Sequence, residues 1–124
     1  MTQDASDARP TAERLAALST SMLADATGGG GVLSPGLVRY SGVGAIAGRA
    51  VTAECAEGST QAIFAALEHA EPGAILVVKG PGQTAYLGDM LAINLISLGF
   101  AGAVIDGFVR DRASISGMQA SFFG

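Results

Sequence analysis

The sequence predicts a single α/β domain built around a β-α-β unit, and three segments carry that prediction. Residues 74–78 are continuously apolar, residues 89–98 form a largely apolar helical segment, and residues 103–106 contain a second apolar run. Strands that are apolar throughout are typical of a mainly parallel sheet covered on both faces. A chain of 124 residues with 49% hydrophobic content can build one core and is too short for two.

The N-terminal third predicts a polar tail followed by short helices. Residues 1–10 are polar and predict a flexible terminus or the start of a helix, so we place the single domain at residues 11–124. Residues 11–18 and 19–26 have weak helical patterns, and Ser19 or Thr20 would cap the second helix. The four glycines that follow end it.

The middle of the chain predicts strands and then a helix. Residues 37–40 and 49–54 have strand-like patterns. Residues 61–70 have helical spacing, with Ile63, Phe64 and Leu67 on the apolar side. Cys55 lies at a strand end and is expected to be a small buried apolar residue. His69, on the polar side of the helix, is expected to be solvated.

The helix over residues 89–98 is apolar on nearly every side, with Asn94 and Ser97 as its interruptions. A helix of this kind is buried all round. A domain of this size offers too little surface to cover it, so we expect a partner subunit to contribute, and hence a homo-oligomer.

Composition excludes several classes of function. The formal net charge is −4 with scattered cations, so we expect no nucleic-acid partner. Cys55 is the single cysteine, which excludes a disulfide framework and a cysteine metal cage and favours a reducing, cytoplasmic location. Glycines and polar residues break the apolar stretch 90–109, and the N-terminus is polar, so we expect neither a membrane span nor a signal peptide.

Three charged residues are the candidates for chemistry. Asp89 follows the turn-forming run 80–84 and is expected to be a helix N-cap, and Arg110 and Asp111 follow the strand that begins at Ala103. Helix N-termini and the carboxyl ends of parallel strands share one edge of an α/β sheet. Asp89, Arg110 and Asp111 are therefore expected to face one crevice. Separately, the lone Asp89 could be a plain cap and Arg110-Asp111 a surface ion pair.

The glycine-rich segments do not indicate a nucleotide site. The segment 42–48 has one residue too many before its last glycine and leads into a strand, which differs from a dinucleotide fingerprint. The segment 79–84 lacks the Gly-Lys-Ser/Thr ending of a phosphate loop. We expect it to form one wall of a ligand pocket instead. Asp106 before Gly107 is expected to be a turn residue, and Asp25 stays undecided between a structural role and a site approached from another subunit.

Three sequence segments together resemble the RraA-like family. They are Ile-Leu-Val-Val-Lys-Gly at 75–80, Tyr-Leu-Gly-Asp-Met-Leu-Ala at 86–92 and Gly-Ala-Val-Ile-Asp-Gly-Phe-Val-Arg-Asp at 102–111. The spacing of an Asp, twenty residues and Arg-Asp is similar to that family's signature. The family includes 4-hydroxy-4-methyl-2-oxoglutarate aldolases and regulators of ribonuclease E activity.

The resemblance implies a three-layer β/β/α sandwich assembled as a trimer or hexamer with active sites between subunits. It implies a lyase that uses Mg²⁺ or Mn²⁺ to cleave 4-hydroxy-2-oxo acids to pyruvate, or to decarboxylate oxaloacetate. Asp111 would ligate the metal, Asp89 would hold metal-bound water, and Arg110 would bind the pyruvyl group. The residues at the start of the helix, Gly88, Asp89, Met90 and Leu91, would contact substrate, with the amides near Met90 and Leu91 receiving its carboxylate.

The resemblance also implies a segment beyond Gly124 that brings an acidic residue into the neighbouring subunit's site. We therefore expect this chain to lack that segment and to have reduced activity, and Lys79 also departs from the family's usual acidic or small residue. The alternative interpretation is a non-catalytic RraA-like regulator that binds a ribonuclease or helicase.

Overall fold

The computed structural model describes residues 9–124, and the polar tail predicted at the N-terminus lies mostly outside this range. Its helices are α1 (Arg9–Ala16), α2 (Thr20–Ala26), α3 (Gln61–Leu67), α4 (Asp89–Ser97) and α5 (Arg112–Ser116). Its strands are β1 (Ala50–Glu54), β2 (Ile75–Lys79), β3 (Ala85–Leu87), β4 (Gly102–Asp106), β5 (Phe108–Val109) and β6 (Ser121–Phe123). Ser19 caps α2 by accepting the Met22 N–H at 3.2 Å, as predicted.

The main sheet is parallel throughout and has the strand order β1-β2-β4-β6. Its register aligns Val51 with Leu76, Leu76 with Ala103 and Ala103 with Phe122. These four residues are at most 7% exposed, so they form one continuous row of buried side chains across the sheet. The predicted α/β class and the unit β2-α4-β4 are confirmed.

The core lies on one face of this sheet, against α3 and α4. Ile63 and Ala66 of α3 and Ala92 and Leu95 of α4 are buried. Full burial of one Leu or Ile side chain stabilises by about 1.5–3 kcal/mol. Cys55 is also buried, as predicted, and His69 is exposed, as predicted.

Two predictions in the first half are wrong in detail. Residues 37–40 do not form a strand; Arg39 makes one antiparallel bridge with Phe123, because this segment runs along the edge at β6. Phe64 is 57% exposed, because the spacing of three between Ile63 and Ala66 turns that side of α3 toward the sheet and rotates Phe64 outward.

A second sheet of two strands, β3 and β5, is also parallel. β3 leads directly into α4, and β5 follows β4 after Gly107. The small sheet therefore joins the start of α4 to the end of β5. Within residues 9–124 the structure contains no helix with the length and apolar character needed to cross a bilayer.

Candidate active site

The pairing of β3 with β5 brings the three predicted charged residues together. Leu87 is aligned with Val109, and the Arg110 N–H donates to the Leu87 carbonyl oxygen at 2.9 Å. Asp89 follows Leu87 by two residues, and Asp111 follows Val109 by two. The expected convergence of Asp89 with Arg110 and Asp111 is therefore present, although it occurs at the small sheet rather than at the ends of the main one.

The carboxylate of Asp111 lies at the centre of this group. Its Oδ2 accepts the backbone N–H of Asp89 at 3.1 Å and lies 3.7 Å from Arg110 Nε. The side chains of Arg110 and Asp111 are 75% and 37% exposed. An ion pair this exposed contributes little to stability. The arrangement therefore leaves a charged carboxylate and a guanidinium accessible to a ligand.

Asp111 has a strained backbone. Its φ of 62° and ψ of 39° are left-handed, and it is the one non-glycine residue with positive φ in the described part of the chain. That conformation costs on the order of 1 kcal/mol, although Asp tolerates it better than most residues. Asp111 is also the N-cap of α5, where the Ile115 N–H donates to its carbonyl oxygen at 3.0 Å. Strain of this kind concentrates at functional sites.

Gly88 makes the close approach of the two segments possible. A Cβ atom at this position would lie 2.9 Å from Asp111 Oδ2 and 3.0 Å from Arg110 Nε. Both distances are far shorter than ordinary carbon contacts. A side chain at position 88 would therefore displace the ends of the Arg110 and Asp111 side chains from their present positions.

The start of α4 corrects one prediction. Gly88 is the N-cap, with extended backbone at φ −134° and ψ −174°, and Asp89 is the first helical residue. The carboxylate that receives the Asp89 N–H comes from Asp111, across the site, and not from a capping side chain within the helix. In α-helix geometry the next N–H groups, of Met90 and Leu91, have no acceptor within the helix. They are placed to donate to an anion.

The described residues contain no group of three or more His, Cys, Asp and Glu side chains that could by itself hold a metal ion. Mg²⁺ is commonly held by one or two carboxylates, with water and substrate oxygens completing its coordination. The Asp89 and Asp111 side chains are hard oxygen donors of the right type and number for that arrangement. The residues present therefore fit a Mg²⁺ or Mn²⁺ ion.

The site is open in a single chain. The groove of about 710 Å³ beside Lys79, Asp106 and Gly124 is lined by none of Gly88, Asp89, Arg110 and Asp111. The charged cluster brings together a carboxylate, a guanidinium and helix amides, a combination that the groove lacks. A site this shallow needs a further surface to exclude water.

Sequence reasoning missed Tyr86, whose side chain is 2% exposed. Its hydroxyl donates to the Pro81 carbonyl oxygen at 2.5 Å and accepts the Gly58 N–H at 3.3 Å. Tyr86 thereby joins the turn after β2 to the loop after β1, just before the site. A tyrosine within a glycine-rich segment, two residues before Gly88, was the available signal.

Comparison with known proteins identifies the class of protein. The family model described as RraA-like, Aldolase/RraA, matches residues 2–124. The chain therefore belongs to the RraA-like family. The structure of the RNA-processing inhibitor RraA from Thermus thermophilis is similar, with a TM-score of 0.74 and 30% identity over 86% of this chain and 65% of that one.

Two further proteins are similar to this chain. An RraA-family protein of Streptomyces coelicolor, described as an unusual member of the RNase ES inhibitor family, has a TM-score of 0.78 and 26% identity, over 93% of this chain and 62% of that one. A protein of Aromatoleum aromaticum, provisionally named 4-hydroxy-4-methyl-2-oxoglutarate aldolase, is 34% identical over 94 residues, which is 74% of this chain. The match spans 58% of that relative's length.

Proposed function

We propose that this chain carries the site of a divalent-metal-dependent lyase that cleaves 4-hydroxy-2-oxo acids to pyruvate or decarboxylates oxaloacetate. The observation that supports it most is the Asp111 carboxylate bonded to the Asp89 N–H at the start of α4, with Arg110 beside it. The aldolase name of the Aromatoleum relative agrees with this proposal.

Substrate binding falls to Arg110 and the N-terminus of α4. A 2-oxo acid presents a planar carboxylate next to its carbonyl, and the forked donors of Arg110 suit that group. The N–H groups of Met90 and Leu91, together with the helix dipole, favour the same negative charge. Gly88 adds no side chain at this point, so the Asp111 carboxylate and the Arg110 guanidinium lie directly against the start of α4.

Asp111 is the proposed ligand of Mg²⁺ or Mn²⁺, with Asp89 beside it. When bound, the metal ion supplies positive charge that stabilises the negative charge developing on the 2-oxo oxygen as the carbon–carbon bond breaks. Arg110 adds its permanent charge on the same side. To the half-buried Asp89 we assign the role of holding a water and moving a proton to or from it.

We further propose that the chain works as a homotrimer or a hexamer. Met90, Ile93 and Ile96 recur at intervals of three along α4 and are 72%, 50% and 42% exposed. An apolar strip beside an open site is suited to a subunit interface that closes the site. Light scattering should give a mass of three or six chains at micromolar concentration; the mass of one chain would contradict this.

The activity test uses pyruvate release from oxaloacetate and from 4-hydroxy-4-methyl-2-oxoglutarate with Mg²⁺ or Mn²⁺. Asp111→Asn and Arg110→Gln should each lower kcat/KM by at least about 100-fold, because each removes charge that the transition state needs. Glu68→Gln, an exposed carboxylate change at the end of α3, is the control and should retain activity. Pyruvate release by wild type no faster than the metal alone would refute the proposal.

The second candidate function is a regulator that binds a ribonuclease or helicase. The Thermus neighbour, an RNA-processing inhibitor, and the Streptomyces neighbour, a member of an RNase ES inhibitor family, favour it. It does not require the charged site. Equal capture of a purified ribonuclease by wild type and Asp111→Asn would support it, and no capture by either would exclude it.

A further inference from the structure

Arg112 is a second guanidinium at the site. It follows Asp111 directly and is the first residue of α5, so its Cα lies about 3.8 Å from that of Asp111. Its guanidinium carbon lies 5.1 Å from the centre of the Tyr40 ring. This is a cation–π contact within the usual range. The ring contact therefore restrains the Arg112 side chain, whose backbone is one residue from Asp111.

Tyr40 is itself fixed to the elements that carry the site. Its N–H donates to the Phe122 carbonyl oxygen of β6 at 2.7 Å. A Cβ placed on Gly124 would lie 3.3 Å from Tyr40 Cε2 and 2.5 Å from Val109 Cγ2, so the ring adjoins the side chain of Val109. β5 runs from that residue into Arg110. The Tyr40–Arg112 pair therefore lies against β6 and near Val109, the last residue of β5.

The cation–π contact leaves the N–H donors of the Arg112 guanidinium available. The ring contact takes up none of the N–H donors of the group, which point outward in its plane. The ion pair described at this site uses Arg110, and among residues 9–124 no carboxylate is paired with Arg112. Arg112 can therefore donate two parallel N–H groups to an incoming carboxylate.

The proposed aldol substrate contains a group that the free N–H donors of Arg112 could bind. 4-Hydroxy-4-methyl-2-oxoglutarate carries a second carboxylate, at the far end from the 2-oxo acid group, and this carboxylate stays intact when the carbon–carbon bond breaks. In the proposed function, Arg110 and the amides of α4 bind the carboxylate next to the 2-oxo group. We propose that Arg112, oriented by Tyr40, binds the distal carboxylate and selects dicarboxylic over monocarboxylic 2-oxo acids. This inference rests on the proposed function, because it assumes that a 2-oxo acid binds at Asp111.

The test is a binding measurement that does not depend on turnover. Isothermal titration with Mg²⁺ present compares 2-oxoglutarate with 2-oxopentanoate, which has a methyl group in place of the distal carboxylate. Wild type should bind 2-oxoglutarate about 10- to 100-fold more tightly, because a hydrogen-bonded charge pair of this kind is worth that ratio. Arg112→Gln should remove the preference and leave binding of 2-oxopentanoate unchanged.

Further variants separate recognition from a structural role. Arg112→Lys keeps the charge without the fork and should retain part of the preference. Tyr40→Phe keeps the ring and should retain it, whereas Tyr40→Leu should reduce it several-fold. A preference unchanged in Arg112→Gln, equal losses for both ligands, or no preference in wild type would overturn the inference. A preference that depends on Arg112 in a protein that releases no pyruvate would refute the lyase proposal alone.

Discussion

The main sheet and the small β3-β5 sheet differ in how far their side chains are exposed to solvent. In the buried row across the main sheet, Val51 is 7% exposed and Leu76, Ala103 and Phe122 are fully buried. Around the small sheet, Arg110 and Asp111 keep 75% and 37% of their side chains exposed, and Asp111 is strained. The first region stabilises the domain and the second uses part of that stability to hold charges in place.

The largest loss of stability should come from a substitution in the core. Leu76→Ala removes a fully buried side chain and leaves a cavity, so it should lower the free energy of unfolding by about 2–5 kcal/mol. Val77→Ala, on the other face of the same strand and half-buried, should cost less than half as much. Urea denaturation measures both. Equal losses would show that the two faces of the sheet are not distinguished as described.

The next effect should come from Gly88. Gly88→Ala puts a methyl group against Asp111 Oδ2 and Arg110 Nε, so both side chains must move. A displacement of this kind should lower kcat/KM at least about tenfold, with little change in stability because both side chains are exposed. Gly117→Ala, where the added Cβ meets nothing within 4 Å, is the control and should leave both kcat/KM and stability unchanged.

A smaller effect should isolate the strain at Asp111. Asp111→Ala and Asp111→Gly both remove the carboxylate, but glycine adopts positive φ without the steric cost. The glycine variant should therefore be more stable than the alanine variant by about 1 kcal/mol. Thermal and urea unfolding of the two variants give the difference. An alanine variant of equal or greater stability would show that the backbone there is not strained.

The smallest effect concerns Cys55. Burial raises the pKa of its thiol above the ordinary value of 9.0, an effect partly offset by a hydrogen bond to the backbone of Ile63. The unfolded chain then loses this proton at lower pH than the folded chain, so stability should fall as the pH rises above about 9. Cys55→Ala should remove that part of the decline. Identical stability profiles for wild type and variant above pH 9 would contradict it.

Sequence alone predicted the parts of the molecule where pattern and burial coincide. The apolar runs in β2 and β4 each place buried residues on one face of the sheet, and the intervening helix follows from spacing. The convergence of Asp89 with Arg110-Asp111 followed from the same β-α-β argument. Residues 37–40 look like a strand because their composition suits one, but pairing at a sheet edge depends on tertiary position, which composition does not record.

The features that shape the site were not predictable from pattern. The left-handed backbone of Asp111 is not marked by a glycine, and conformations of this kind persist only where tertiary structure holds them. The contact between Tyr40 and Arg112 joins residues 72 positions apart, and no local spacing indicates it. The shift of the N-cap from Asp89 to Gly88 arises because a carboxylate from across the site takes the Asp89 N–H.

The most direct test of the account is Mn²⁺ binding measured by electron paramagnetic resonance, because it reports on the site without requiring turnover. With a 2-oxo acid such as pyruvate present, wild type should bind one Mn²⁺ per chain. Asp111→Asn keeps the shape and tolerates the same backbone, but it removes the charge, and it should weaken binding at least about tenfold. Equal Mn²⁺ affinity in wild type and Asp111→Asn would contradict the account.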